Sequence, residues 1–548
     1  MILRRLYLYL VSAASLGLLA AGLALLGATA LLVVFKDPSA DNSRTQLAIY
    51  TAMTLVALPV WGVHFWFAQR SAARNPYERA SAIRRLYIYW ACLGGAIGAL
   101  VALVVAGGDL LRPLIDSTSQ NWLATSQAGW VAIVFLAIWA FHFRIAARDR
   151  AAVGETSASA TLRRWYMYVA LLIGLLVMLN GASSLIEVAW LKARGSSLGN
   201  FRYIGDAAAS VIAGLVVWGF HARTIAQRTL ADDRQSTLRA LEGFVVAAVS
   251  ITVAIVGASQ ILYYALAKAI GVDNPGGVGN DILGALASPA SQLLVYGTAW
   301  FLMRRRLAQD ARAQEAERQA GIRRLYTNLV ALVSLGAWAI GAGGLLWTLA
   351  EQAEAPIIGV AAGDWKNPVS LWLTLLVVGL AVWLAHWRPA PWAADRQSLS
   401  RRLYVWAALL ASVLVVLGAG VGMLAALLRQ LFSARPTLAD AANLDFGHYL
   451  AVIVVAAGVG FYHWRVLRAD AAARPPKLAA EPAPAVAAAV VPVLISTPEV
   501  VDPNTHRYVL SVTDATEDDV HQALSSLPPH AAYKLTPTDR SAVPVDGR

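Results

Sequence analysis

Five of the nine histidines occupy one position of a repeated four-residue pattern that usually begins with tryptophan. Imidazole nitrogens on neighbouring helices could ligate haem iron or another metal, and imidazole can also carry protons near neutral pH. No carboxylate or second histidine stands one helical turn away to complete a metal site. The pattern therefore favours a ring that lies at a helix C-terminus near a membrane surface. The candidate cofactor ligands are His64, His142, His221, His386 and His463.

A second pattern, two arginines followed by aromatic residues, precedes the histidine pattern along the chain. Tyrosine and tryptophan favour the depth at which a membrane meets water, and arginine can contact lipid phosphates there. We expect this pattern to anchor and orient the helix that it begins. The alternative is a binding site for anionic lipid or an acidic partner. The expected interfacial anchors are Arg4, Arg5, Tyr7, Arg84, Arg85, Tyr87, Arg163, Arg164, Tyr166, Arg323, Arg324, Tyr326, Arg401, Arg402 and Tyr404.

The composition indicates a membrane environment for most of the chain. Of 548 residues, 58% are hydrophobic and 14% are charged, whereas soluble proteins average about 45–50% and about 25%. This shortage of charge excludes an ordinary soluble enzyme and a disordered chain. The net charge of +12 then indicates orientation in a membrane and not nucleic-acid binding. The single cysteine, Cys92, excludes an intramolecular disulfide.

The two patterns recur in six tandem units of roughly 79 residues, which indicates one structural unit copied repeatedly. Each unit contains two apolar runs, and about 20 apolar residues suffice to cross the hydrocarbon core as a helix. The predicted fold class is an all-α membrane protein with about twelve transmembrane helices, built from six two-helix repeats. The fourth unit is degenerate, with Glu242 in place of the tyrosine and Met303 in place of the histidine. We expect that unit to retain less of the motif's role.

The loops between units are rich in basic residues, and this predicts the orientation of the chain. The positive-inside rule places those loops and both chain ends in the cytoplasm of a multi-pass cell-membrane protein. After the last unit, an Ala/Pro-rich linker precedes a small cytoplasmic segment that could form a strand, a helix and a strand. The predicted divisions are 1–80, 81–159, 160–235, 236–319, 320–397 and 398–468 for the repeats, 469–505 for the linker and 506–548 for the last segment.

Four glycines stand at the same position after the first arginine of their units. Small residues let helices approach closely in lipid, where hydrophobicity does not drive helices together. We expect these glycines to be helix-packing residues, and a role in lining a substrate path is the alternative. The four residues are Gly22, Gly181, Gly257 and Gly341.

The Arg-Arg-Leu-Tyr-x-Tyr start, the long Gly/Leu helix after it and the Trp-x-x-His end resemble an uncharacterised bacterial membrane family, domain-of-unknown-function family 5671. The resemblance covers residues 1 to about 468 and leaves out the tail. The fourth unit departs from the motif at Glu242 and Met303. The resemblance implies membrane residence and a repeated helix pair, and it implies no activity.

Three functions remain open from the sequence. Regular repetition, small-residue packing faces and the absence of enzyme motifs favour a non-enzymatic scaffold or interaction protein without a cofactor. The first alternative is a transporter or channel for an uncharged or lipidic substrate, since acids and bases that mark ion pathways are scarce in the spans. The second is a redox protein with haem between the repeat histidines. The expected partners are membrane lipids and, through the C-terminal segment, a protein; no nucleic acid is expected.

Overall fold

In the computed structural model, the described residues are 2–116, 120–196, 203–234, 236–277, 281–314, 317–359, 361, 363–387, 396–432 and 446–473. Within these ranges the regular structure is helical and contains no strand. The C-terminal segment predicted for 506–548, and the predicted linker beyond residue 473, lie outside the described residues. The first residues assigned to that linker are helical, because the last helix continues to Ala472.

In the described part of the chain, twelve long helices follow one another, and each is long and apolar enough to cross a membrane. This confirms the prediction of twelve spans in six pairs, with each pair forming an antiparallel hairpin. The helices are α1 (Ile2–Val34), α2 (Arg44–Arg74), α3 (Ala82–Asp116), α4 (Trp122–Val153), α5 (Ser157–Arg194), α6 (Ile204–Arg228), α7 (Thr237–Ile270), α8 (Ala287–Gln314), α9 (Glu317–Ile358), α10 (Lys366–His386), α11 (Leu399–Phe432) and α12 (Phe446–Ala472).

The six helix pairs pack in sequence order. Among the described helices, extensive contacts join the two helices of a unit or the helices of consecutive units. The first helix of each unit packs against both helices of the next unit, as α3 does against α5 and α6. A chain whose units contact mainly their neighbours is built like a repeat protein, in which stability comes from each unit and each junction.

All six units have the same orientation. The Arg-Arg patterns of successive units contact one another, which places them at one end of the helices, here called the arginine end; the other is called the loop end. The contacts are Tyr9 to Arg84 (3.2 Å), the stacked rings of Tyr89 and Tyr166 (5.8 Å), Tyr168 to Arg239, the rings of Phe244 and Tyr326 (5.6 Å), and Asn328 to Ser400 (3.3 Å).

The four repeated glycines lie at close contacts between the two helices of their own units. A Cβ atom on any of them would come too near the opposite helix for a normal contact. The nearest atoms would be Thr54 Oγ1 at 2.8 Å for Gly22, the Ala207 carbonyl oxygen at 2.6 Å for Gly181, the Pro289 carbonyl oxygen at 2.5 Å for Gly257 and the Leu376 nitrogen at 2.4 Å for Gly341.

Candidate functional site: a repeated tyrosine, histidine and tryptophan network

Each repeat histidine faces the tyrosine of its own Arg-Arg pattern, because the two helices of a unit run antiparallel and bring those ends together. In four units the histidine Nε2 lies within hydrogen-bond distance of the tyrosine hydroxyl. In the fifth unit the rings of Tyr326 and His386 lie with centroids 6.2 Å apart. The four distances are Tyr7 to His64 3.2 Å, Tyr87 to His142 3.2 Å, Tyr166 to His221 2.8 Å and Tyr404 to His463 2.9 Å.

The other ring nitrogen of each histidine contacts the backbone of its own helix. Nδ1 lies within hydrogen-bond distance of the carbonyl oxygen four residues earlier in all five cases. A carbonyl oxygen only accepts, so Nδ1 carries the hydrogen, and Nε2 of the neutral ring accepts from the tyrosine hydroxyl. The distances are His64 to Val60 2.7 Å, His142 to Ile138 2.8 Å, His221 to Val217 2.7 Å, His386 to Val382 2.9 Å and His463 to Val459 2.8 Å.

The tryptophan of each histidine pattern reaches into the following unit. In four units its indole Nε1 donates to the tyrosine hydroxyl of the next Arg-Arg pattern. In the third, Trp218 faces a unit that lacks this tyrosine, and it packs against two apolar clusters that join the third unit to its neighbours. The four bonds are Trp61 to Tyr87 2.9 Å, Trp139 to Tyr166 2.8 Å, Trp300 to Tyr326 3.4 Å and Trp383 to Tyr404 2.9 Å.

The tyrosine hydroxyl therefore links two units. In Tyr87, Tyr166 and Tyr404 it accepts from a tryptophan of the preceding unit and donates to the histidine of its own. The sequence predicted tyrosine and histidine as separate interfacial anchors and gave the tryptophan no partner. The spacing of tryptophan and following tyrosine, 26 residues from Trp61 to Tyr87, 27 from Trp139 to Tyr166 and 21 from Trp383 to Tyr404, was the available signal.

In five units, an arginine at the start of the first helix forms an ion pair with an acid in the last turns of the second helix of the same unit or in the short helix that follows it. These acids, absent from the sequence-based site, lie near the arginine end. Arg84 and Arg163 are buried, at 1% and 3% exposed, and thus contact acids of this chain instead of lipid phosphates. The pairs are Arg5 with Glu78 (2.8 Å), Arg84 with Asp149 (2.7 Å), Arg163 with Asp233 (3.2 Å), Arg239 with Asp310 (2.8 Å) and Arg401 with Asp470 (2.7 Å).

The remaining predicted anchors differ in exposure. Arg85 is buried and donates to the carbonyl oxygen of Ala146, and Arg164 donates to Asp233 at 2.7 Å. Arg4 is exposed and donates to Ser71. Arg323 and Arg402 are exposed, Arg324 is half-buried, and Tyr7 is 58% exposed.

Asp233 holds two guanidinium groups in a site without solvent exposure. It lies in the short helix Leu230–Asp233, between α6 and α7 and outside both spans. Burial alone would raise the pKa of its carboxyl, but the hydrogen bonds and charges of Arg163 and Arg164 outweigh burial and hold that pKa below its ordinary value. Asp233 therefore stays charged, as a buried carboxylate with two cationic partners should.

The degenerate fourth unit replaces the neutral tyrosine–histidine contact with an ion pair. Glu242 occupies the tyrosine position and is 4% exposed. It pairs with Arg306, three residues after Met303. The unit thus keeps a polar contact between its two helices, although its chemistry differs from the other five.

The repeat histidines already have hydrogen-bond partners within the chain. Among the residues that the structure describes, no group of three or more His, Cys, Asp or Glu side chains could hold a metal ion. A metal or haem iron at His142, His221 or His463 would have to displace a hydrogen bond to tyrosine or to the backbone. The geometry therefore favours a structural role for these rings.

The fold and the repeated network define an all-helical membrane protein built from six tandem helix pairs. The chain belongs to the family defined by the domain of unknown function DUF5671. Its family profile matches residues 5–131, 114–200, 179–287, 244–334 and 324–458, five overlapping segments that together cover most of the chain. Comparison with curated proteins and comparison with solved structures gave no significant match.

Proposed function

We propose that this chain is a non-enzymatic membrane scaffold whose arginine end faces the cytoplasm. The observation that supports this most is the use of the repeated polar residues. Their hydroxyls, ring nitrogens and guanidinium groups bond to other groups of the chain, within a unit or across a junction between units. Groups held in this way fix the spacing of helix pairs and are not presented to a substrate.

The physics of helix association in lipid supports a structural role for these bonds. Lipid tails are as apolar as leucine, so helices associate through close packing and interhelical hydrogen bonds. The chain combines both, with glycine contacts such as that of Gly181 within a unit and tryptophan-to-tyrosine bonds between units. The result is a row of pairs that can hold partners at regular intervals.

A set of exposed arginines near the ends of the second helices supplies the surface for partners. Unlike Arg84 and Arg163, they are exposed at the arginine end, and some extend over a tryptophan one turn earlier, as Arg70 does over Trp66 at 5.1 Å. A cationic, aromatic surface suits anionic lipid headgroups and acidic protein segments. The exposed arginines are Arg70, Arg74, Arg144, Arg148, Arg223, Arg228, Arg304, Arg305, Arg465 and Arg468.

The orientation can be tested by labelling of single cysteines in intact cells. In a Cys92→Ala background, Ser39→Cys places a thiol in the turn Pro38–Ser43 at the loop end, and Ala152→Cys places one near the end of α4 at the arginine end. A membrane-impermeant maleimide should label the first variant in intact cells and the second after lysis. Labelling of the second variant in intact cells would show that the chain has the opposite orientation.

The scaffold role can be tested by capture of partners from the membrane. Native nanodiscs containing the full chain should retain a protein complex that is lost when Arg144 and Arg148 are replaced by Gln. The charge-matched control, Lys36→Gln with Arg44→Gln at the loop end, removes the same two charges and should retain it. Recovery of this protein alone, together with unchanged membrane complexes after deletion of its gene, would contradict the scaffold role.

The alternative, transport of an uncharged or lipidic substrate, has one observation in its favour. An apolar cavity of about 690 Å³ lies between the fifth and sixth units. Uptake of a lipid analogue by proteoliposomes, compared between the native chain and a variant with this cavity filled, would distinguish transport from a scaffold role.

A further inference from the structure

A large cavity opens between the fifth and sixth units, within the spans. Its volume of about 690 Å³ is in the range of ligand-binding cavities. The lining comes mainly from α9, α11 and α12, with Trp372 of α10. It begins near Leu332 on the arginine side and extends to Trp347 on the loop side.

Small residues form much of the wall of this cavity, and this junction lacks the tryptophan that fills the first junction. Where the first unit meets the second, Trp130 of α4 packs against Gly27 of α1 and donates to the carbonyl oxygen of Leu23 at 2.9 Å. The corresponding residue of the sixth unit, at the same distance before the repeat histidine, is Ala451. The space beside Gly336 and Gly343 is also open, since a Cβ atom on either would meet no heavy atom within 4 Å.

The lining has almost no polar character. Ser412 carries the one hydroxyl in it, and that hydroxyl donates to the Ala408 carbonyl oxygen at 2.8 Å. The indole nitrogen of Trp347 donates to Glu351. A water-soluble substrate would lose its hydrogen bonds to water on entry and gain few in return.

The length of the cavity suits an extended hydrocarbon chain. From Leu332 to Trp347 the helix α9 rises about 22 Å at about 1.5 Å per residue. One leaflet of a bilayer contributes about 15 Å of hydrocarbon. An acyl chain that enters from the bilayer could therefore lie along the cavity for most of its length, and it would restore the dispersion contacts that an empty apolar space lacks.

We propose that this cavity binds an acyl chain of a membrane glycerophospholipid, held between α9 and α11. The bilayer surrounds the cavity at this depth and supplies such chains in excess. The proposal depends on the helices spanning the membrane and is independent of the scaffold role.

The test uses the full chain in vesicles of phosphatidylcholine and phosphatidylglycerol that contain a phosphatidylcholine with a diazirine in its acyl chain. Photolabelled peptides are then identified by mass spectrometry. Labelling should concentrate on cavity-lining residues such as Gly343 and Ser412. Labelling spread evenly over lipid-facing residues, including those of α2, would overturn the proposal.

Variants at two glycines provide the matched comparison. Gly343→Leu fills the cavity, and Gly418→Leu adds the same side chain on the exposed surface of α11, where a Cβ atom also meets nothing within 4 Å. Cavity labelling should fall about tenfold in Gly343→Leu and stay unchanged in Gly418→Leu. Equal labelling in both would overturn the proposal.

Two further measurements keep the test decisive. If Gly343→Leu does not fold by size-exclusion chromatography, Gly336→Leu takes its place. Lipids that co-purify with the native chain are extracted and identified, and a glycerophospholipid retained by the native chain and lost from the filled variant supports the proposal. Recovery of an isoprenoid quinone at this site, or of a dimer that covers it, would overturn it.

Discussion

At the scale of single residues, the buried tyrosine hydroxyls are the groups that join one unit to the next. Tyr166 is 2% exposed and bonds to both Trp139 and His221. A buried hydroxyl with a donor and an acceptor is costly to remove, because both partners lose their hydrogen bond in a region without water.

The substitution Tyr166→Phe should therefore destabilise the protein by about 1–3 kcal/mol. Thermal unfolding in mild detergent, followed by size-exclusion chromatography, measures the change. Tyr7→Phe is the matched control, since Tyr7 is exposed and, among the described residues of this network, its hydroxyl contacts His64 alone. Equal losses of stability in the two variants would show that the bond between Trp139 and Tyr166 does not stabilise the protein.

A second residue-scale prediction concerns Asp233 and pH. The pKa of its carboxyl is lowered in the folded protein, so the folded state favours the charged form. The contribution of this charged carboxylate to the free energy of unfolding is fully present above the ordinary pKa of about 3.9. That contribution is lost as pH falls through the lower pKa of the folded state.

Asp233→Asn should accordingly reduce the unfolding temperature at neutral pH. When pH falls below about 4, the unfolding temperature of the variant should then fall less than that of the native chain. Unfolding temperatures measured from acid to neutral pH test this. Asp273→Asn, an exposed acid at the loop end, should leave the profile unchanged. If the unfolding temperature of the Asp233→Asn variant depended on pH as that of the native chain does, Asp233 would not be the source of the pH dependence.

At the scale of helices, close packing at the repeated glycines holds each pair together. In Gly181→Ala the new Cβ would lie 2.6 Å from the carbonyl oxygen of Ala207, so α5 and α6 must separate. We expect a loss of about 1–3 kcal/mol. Gly219→Ala, where a Cβ meets nothing within 4 Å, should be neutral or stabilising, since alanine favours the helix by about 1 kcal/mol. Unfolding temperatures that rank the two variants the other way would contradict the packing argument.

The helices were predictable from the sequence, because long apolar runs and the Arg-Arg and Trp-x-x-His patterns are local signals. The partners of those patterns were not. Arg84 and Asp149 stand 65 residues apart, and Tyr87 and His142 stand 55 apart, so only the antiparallel register of a hairpin brings them together. The cavity beside Gly343 was equally hidden, since it depends on which small residues face one another across a junction.

At the scale of the whole molecule, the membrane part is a series of like-oriented hairpins joined through their arginine ends. The junctions differ in chemistry. The first, second and fifth have a tryptophan-to-tyrosine bond of 2.8–2.9 Å, whereas the third meets the degenerate unit with Glu242. A repeat array is as cooperative as its junctions allow. At the third junction a buried bond between Ser183 and Ser291 (3.1 Å) and a bond from Trp190 to the Leu283 carbonyl oxygen (2.9 Å) join the two units instead.

The central claim is that the repeated network couples one helix pair to the next, and a double-mutant cycle tests it most directly. The free energy of unfolding of Trp139→Phe, Tyr166→Phe and the double variant is measured by titration with sodium dodecyl sulfate. We predict a coupling energy between about 0.5 and 3 kcal/mol, because the two side chains share one hydrogen bond across the second junction. If the losses of the two single variants sum to the loss of the double variant within about 0.3 kcal/mol, the claim is contradicted.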